Sequence, residues 1–191
     1  MKSKTSLIVT LAILVAVIAG AGVVTMLLTN SDPVGNTPGA LITGTPEQAS
    51  STDRQMAPDI EIVDRDGNTL MLSDFRGIPV VLNFWASWCP PCVGEMPEFE
   101  QAFQEYGSEV QFVMLNATDG QRETVSTATH FINDRGFTFP VFYDVFSEGV
   151  RAYNITAIPE TLFIDRDGNI VANRVGTISE RELRAGISQM L

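Results

Sequence analysis

The apolar run Val80-Val81-Leu82-Asn83-Phe84-Trp85 leads within three residues to Cys89-Pro90-Pro91-Cys92, and a helical pattern follows immediately. No other feature constrains the fold as tightly. A run of this length and character suits a central strand covered on both faces of a sheet. It delivers the only two cysteines of the chain to the start of a helix. Free backbone N–H groups and the helix dipole there stabilise a thiolate and lower its pKa. Cys89 is therefore the expected nucleophile. Cys92, one helical turn on, is placed to attack a mixed disulfide on Cys89 and resolve it.

Other uses of a Cys-x-x-Cys spacing fit poorly. A structural zinc site takes four ligands, and Cys89, Cys92 and the lone His130 supply at most three. Covalent haem attachment requires His directly after the second cysteine, where this chain has Val93. A purely structural disulfide closing so short a loop restrains little of the unfolded chain and adds little stability. The reading is a redox-active pair with no metal and no other cofactor.

The N-terminus bears on where such a pair works. Lys2 and Lys4, the only lysines, precede an apolar stretch from Leu7 to Leu28, 22 residues without a charge. As a helix it would be roughly 33 Å long, enough for a hydrocarbon core of about 30 Å. Residues 1–28 thus read as a membrane anchor with the lysines on the cytoplasmic side and everything after Leu28 outside. A cleaved signal peptide ending at Ala19-Gly20-Ala21 is the competing reading. Residues 29–56, with Pro33, Gly35, Pro38, Gly39, Gly44 and Pro46 among Ser and Thr, show no apolar periodicity and read as a flexible tether. Residues 57–191 are the size of one domain with a single core.

That domain carries 20 Asp and Glu against 9 Arg and no Lys, for a formal charge of −11. Nucleic acid, which needs a basic footprint, is an unsuitable partner.

Within the domain, Ile60–Val63 and Thr69–Leu72 flank the turn string Asp64-Arg65-Asp66-Gly67-Asn68 and predict a hairpin. A helix is expected from Pro90 to about Tyr106, with Val93, Met96, Phe99, Ala102, Phe103 and Tyr106 on one face and Pro97 kinking it. Then come a strand at Val110–Leu115, a helix at Glu123–Arg135, a strand at Phe139–Tyr143 and a short helix at Glu148–Tyr153. The alternation predicts a largely parallel sheet. Thr161–Ile164 and Ile170–Ala172 form a second hairpin around the same string at 165–169. The positions where a calcium loop needs its terminal Glu hold Phe75 and Gly176, so the repeat reads as two similar turns. Ser179 with Glu182 predicts a capping box for a last helix ending at Leu191.

Taken together, Ala57-Pro58-Asp59, Leu72–Gly77, Val81–Cys92, Glu95-Met96-Pro97 and Ile158–Asp165 resemble the thioredoxin superfamily, and within it the TlpA/ResA-type membrane-anchored members. The resemblance covers 57–191. It implies an α/β thioredoxin-like fold: a central mixed sheet flanked by helices, with an extra N-terminal β-hairpin. It also implies a cis bond between Ile158 and Pro159 beside the dithiol, with Ile158 offering its backbone to a substrate strand. Glu95 matches an active-site glutamate of these proteins and is expected to accept the Cys92 proton; a solvated helix-face Glu is the alternative. Asn83 stands where thioredoxin itself has a buried acid. Trp88, Pro90 and Pro91 are expected at the substrate-facing rim. Asn83 and Trp85 are expected to support the site from within, Trp85 as core packing. His130 is expected to be structural, and Glu160 to bear on partner choice through its charge.

The implied activity is extracytoplasmic thiol-disulfide exchange, with reduction of disulfides in exported proteins such as apocytochrome c or a partner reductase. Electrons would come from a membrane thiol-transfer protein of the CcdA or DsbD type. Two rivals stand beside it. Peroxiredoxins share the fold, but their peroxide site wants a Thr where this chain has Ala86. An anchored binding module with a static disulfide would need no turnover at all.

Overall fold

Every residue of the run Val80–Trp85 is buried, as a strand in the interior of a sheet must be. A computed structural model describes residues 55–191. Their strands in chain order are β1 (Glu61–Val63), β2 (Thr69–Met71), β3 (Val80–Trp85), β4 (Gln111–Asn116), β5 (Val141–Tyr143), β6 (Glu160–Ile164) and β7 (Ile170–Val175). The helices are α1 (Pro90–Tyr106), α2 (Val125–Arg135), α3 (Glu148–Ala152) and α4 (Glu180–Met190). The expected anchor and nearly all of the expected tether lie outside the described residues. Among the described residues no helix is long and apolar enough to cross a membrane. Gln55 and Met56, assigned above to the tether, already run beside the start of β7, where Ile170 N–H donates to the Gln55 carbonyl at 2.8 Å.

The strands form one mixed sheet in the order β2-β1-β5-β4-β3-β6-β7. Only its centre is parallel: β3 with β4, and β4 with β5. The expectation of a largely parallel sheet therefore holds only where α1 and α2 supply crossovers. The short turns at 64–68 and 165–169 force β1/β2 and β6/β7 to run antiparallel, and β6 also joins β3 antiparallel.

Each face of the sheet carries an apolar cluster. Val81, Trp85, Met96, Phe99, Phe112, Ile132, Leu183 and Ile187 pack on the α1 side, while Ile60, Ile62, Leu82, Phe84, Leu115 and Leu162 pack on the other. Alternation along β3 therefore sends Asn83, between Val81 and Trp85, toward α1. Its register partner on β6 is Thr161.

Helix α1 starts where its sequence permits. Pro90 and Pro91 fill the first turn, in which a missing N–H costs nothing, and Cys89 is the N-cap. The helix continues through Pro97 and buries Cys92, Glu95, Met96, Phe99 and Ala102 along one stripe. Helix α2 begins two residues later than expected. Thr124 caps it through Thr127, which leaves Glu123 in the preceding loop instead of in the first turn. Ser179 and Glu182 form the expected capping box of α4.

Candidate active site

Cys89 and Cys92 form a disulfide with S–S 2.06 Å and Cα–Cα 5.3 Å. Both residues are buried. As N-cap, Cys89 turns its sulfur onto the open end of α1, where Sγ accepts the Cys92 N–H at 3.3 Å. A thiolate at that atom would receive the same bond together with the favourable end of the helix dipole. The Ile158–Pro159 bond is cis, and the Ile158 carbonyl oxygen lies 3.8 Å from Cys89 Sγ. The first cysteine thus faces a half-buried backbone segment, while the second lies one turn deeper in the helix.

Glu95 follows Cys92 by three residues on the same helix, the spacing that brings two side chains together on one face. It is 2% exposed, so the solvated alternative does not hold. Its oxygens are held from two directions: Asn83 Nδ2 donates to Oε1 at 3.0 Å and the Ile178 N–H donates to Oε2 at 2.8 Å. Asn83 also donates to Thr161 Oγ1 at 3.0 Å, so the amide bridges the helix and β6. Burial pushes the Glu95 pKa up to about 7, against the two donors and Arg174, with the Glu98 charge adding to the rise. A carboxyl with that pKa takes up and gives back a proton near neutrality.

Behind the dithiol loop lies a second buried carboxylate. Glu123, in the loop before α2, is fully buried. It accepts the Ser87 N–H at 3.0 Å, the Ser87 hydroxyl at 2.7 Å and Asn116 Nδ2 at 2.8 Å. Its neighbour Arg122 places its guanidinium 3.6 Å from the centroid of the Trp88 ring.

The expected site residues sort clearly. Cys89, Cys92, Glu95, Asn83, Ile158 and Pro159 come together at the end of the sheet. Trp88, Pro90 and Pro91 are exposed around them. Trp85 is fully buried in the core, with its ring 6.0 Å from that of Phe131. Glu160 turns to the opposite sheet face, where it lines a groove with Tyr153, Asn154 and Asn173. Burial raises its pKa and a hydrogen bond from Asn173 opposes the rise. His130 is exposed and pairs with Asp134. Sequence reasoning missed Thr161, Ile178, Ser87, Asn116, Arg122 and Glu123 as parts of the site. For Thr161 a signal existed: opposite parity from Leu162 on a buried strand sends it to the α1 face.

The AhpC/TSA family profile matches residues 54–173 of this chain. The chain is similar to the thioredoxin-like protein YneN of Bacillus subtilis, 35% identical over 130 residues that make up 68% of this chain and 75% of that protein. It is 30% identical over 135 residues to the thiol-disulfide oxidoreductase ResA of Bacillus anthracis, covering 70% of this chain and 76% of the relative. Among solved structures, a thiol:disulfide interchange protein of Chlorobium tepidum matches with a TM-score of 0.64 at 26% identity, over 74% of this chain and 99% of its own.

Proposed function

Since this chain belongs to the AhpC/TSA family and is a thiol-disulfide oxidoreductase of thioredoxin-like fold, we propose that it reduces disulfides in exported proteins from the extracytoplasmic side of the bacterial membrane. The observation that carries this reading is the placement of Cys89 Sγ, with the Cys92 N–H at 3.3 Å and the Ile158 carbonyl at 3.8 Å. The first bond favours a thiolate. The second contact sets the Ile158 carbonyl beside the sulfur, and in this reading a substrate strand pairs with that backbone.

In the proposed cycle the Cys89 thiolate attacks one sulfur of a substrate disulfide, and the other substrate sulfur leaves as a thiolate. Cys92 then passes its proton to Glu95 and attacks Cys89 Sγ. The second substrate sulfur departs, the Cys89–Cys92 disulfide remains, and one electron pair has moved to the substrate. A membrane thiol-transfer protein of the CcdA or DsbD type returns the pair to the dithiol. Residues 1–28 hold the domain to the membrane as a single span and residues 29–54 tether it within reach of both partners. Its substrates in this reading are exported disulfide proteins such as apocytochrome c or a partner reductase. Trp88, Pro90 and Pro91 form the rim that meets them.

The reduction potential of the Cys89/Cys92 pair, equilibrated in thiol redox buffers, tests the direction. A value clearly below the roughly −180 to −210 mV of an oxidising secretory compartment supports a reductase. A value near the roughly −120 mV of a strong periplasmic oxidant makes the protein a disulfide donor and overturns the reading. In cells, Cys92→Ser is expected to trap mixed disulfides on Cys89, and Cys89→Ser to trap none.

A further inference from the structure

We propose that Glu123 and Arg122 are positioning residues for Cys89: together they brace the Ser87–Trp88 segment from inside and outside and so hold the nucleophile at the N-cap of α1. The inference rests on thiol-disulfide exchange at Cys89 and not on the direction or substrate of the proposed cycle.

A short loop, residues 86–89, links β3 to α1. Its Trp85 end is tied to β4 by the Ala117 N–H, which donates to the Trp85 carbonyl at 2.8 Å. Its far end is the cap itself, where the Cys89 N–H donates to the Ala86 carbonyl at 3.2 Å. Between these ties, Ser87 bonds through both backbone and hydroxyl to the carboxylate of Glu123. Charge-assisted bonds of this kind are shorter and stronger than neutral ones. They also come at a cost, because a buried carboxylate gives up hydration that a neutral side chain of similar size would not. Packing alone offers no reason to keep an acid here. Holding one short loop by several bonds to a single group does.

Glu123 is itself preset. Its N–H donates to Asp119 Oδ1 at 2.9 Å, and its carbonyl accepts the N–H groups of Asp119 at 3.1 Å and Gly120 at 2.9 Å. Gly120 has φ +74°, a conformation that favours glycine. The loop therefore presents two consecutive side chains in opposite senses. Glu123 points inward to Ser87, and Arg122 lies outward over Trp88, which is 38% exposed. Two adjacent residues grip two adjacent residues, and the next residue in the chain is Cys89. A displacement of about 1 Å at a reacting atom costs up to roughly 100-fold in rate, so a brace one residue away acts directly on reactivity.

The test uses the reduced protein and dithiobis-nitrobenzoate as the probe. Cys89 thiolate forms a disulfide with one nitrobenzoate sulfur and releases the other as a coloured thiolate; Cys92 then displaces the second and closes the protein disulfide. The rate of first release reads Cys89 attack alone, so the outcome is independent of the reduction potential that tests the proposed function. Glu123→Ala is expected to slow first release about tenfold or more. Glu123→Gln should restore it to within about threefold, because an amide can accept from Ser87 N–H and Asn116 and donate to the Ser87 oxygen. Arg122→Ala is expected to slow release by a few-fold and shift tryptophan emission to longer wavelength as Trp88 loses its cover. A role in stability alone would lower the unfolding midpoint and leave the rate of the folded protein unchanged. That result for Glu123→Ala, or a Gln variant as slow as the Ala variant, overturns the proposal. Should Glu123→Ala fail to fold, Ser87→Ala decides, since it removes only the hydroxyl bond: slower release supports the brace, and an unchanged rate overturns it.

Discussion

Glu95 and Glu123 are both buried beside the same stretch of chain, yet Glu95 is held by one amide side chain and one backbone N–H, whereas Glu123 is held by three donors, two of them from Ser87. The donors of Glu95 belong to β3 and to the segment before α4, neither of which carries a cysteine. They steady the carboxyl without tying it to the dithiol loop, and burial outweighs them enough to bring its pKa up to about 7. Ser87, by contrast, sits two residues before the nucleophile. The contrast separates the two roles proposed for these acids: carrying a proton for Cys92 and holding Cys89 in place. Burial is common to both, and the difference lies in which element supplies the hydrogen-bond donors.

The largest expected effect concerns Glu95. Folded Glu95 keeps its proton up to about pH 7, while the unfolded chain releases it near the ordinary 4.5. Between those values the folded state binds more protons, so its stability falls as pH rises through the window, by about 3 kcal/mol in total. Glu95→Gln should abolish that component. Denaturant unfolding of the oxidised protein across the window checks it, and equal pH slopes for parent and variant would erase the distinction between the two acids.

A smaller effect is expected at Asn83. Asn83→Ala removes a donor to the ionised form of Glu95 and leaves Thr161 without its partner, at a cost of about 1 to 3 kcal/mol. The pH at which stability stops falling should move upward, and in the proposed cycle mixed disulfides should persist to higher pH in a quenched-flow trapping experiment. A midpoint that stayed in place would mean that Asn83 does not tune Glu95.

Ser87→Ala should have the smallest effect on the pH dependence, although losing a hydrogen bond to a buried carboxylate costs about 1.5 to 3 kcal/mol of stability. Its unfolding should keep the parent's pH slope through the Glu95 window. A changed slope would show that the two acids communicate and that the comparison is too simple.

How far the sequence could be read is clearest in the twin turns. Asp64 and Asp165 make the same local bonds: each Oδ1 accepts the N–H two and four residues on, and Gly67 and Gly168 have φ +84° and +85°. That much is written in five residues. Their surroundings are not. Gly67 is exposed, whereas Gly168 is buried, with its carbonyl accepting the Ala57 N–H at 2.9 Å and the neighbouring Arg166 carbonyl accepting the Gly77 N–H at 2.9 Å. The active site divides along the same line. Cys89, Pro90, Pro91 and Cys92 were readable because a strand, a cap and a helical turn order them locally, and Glu95 entered through the family resemblance. Glu123 was misassigned to the first turn of α2, because a Glu before Thr124 has the composition of a helix start and nothing nearby announces Ser87, 36 residues away.

The sequence by itself determined the dithiol, its place at a helix N-terminus and the two Asp-Gly turns, and, through resemblance, the cis bond before Pro159. All of these follow from spacings of a few residues, over which backbone geometry, capping and alternation act. Only the tertiary structure decided that Glu95 is buried with a pKa of about 7, that Asn83 and Thr161 join beneath it, and that Glu123 stands behind Ser87. The fate of a carboxylate depends on how much water it loses and which donors replace that water, and those donors come from strands and loops that only folding brings together.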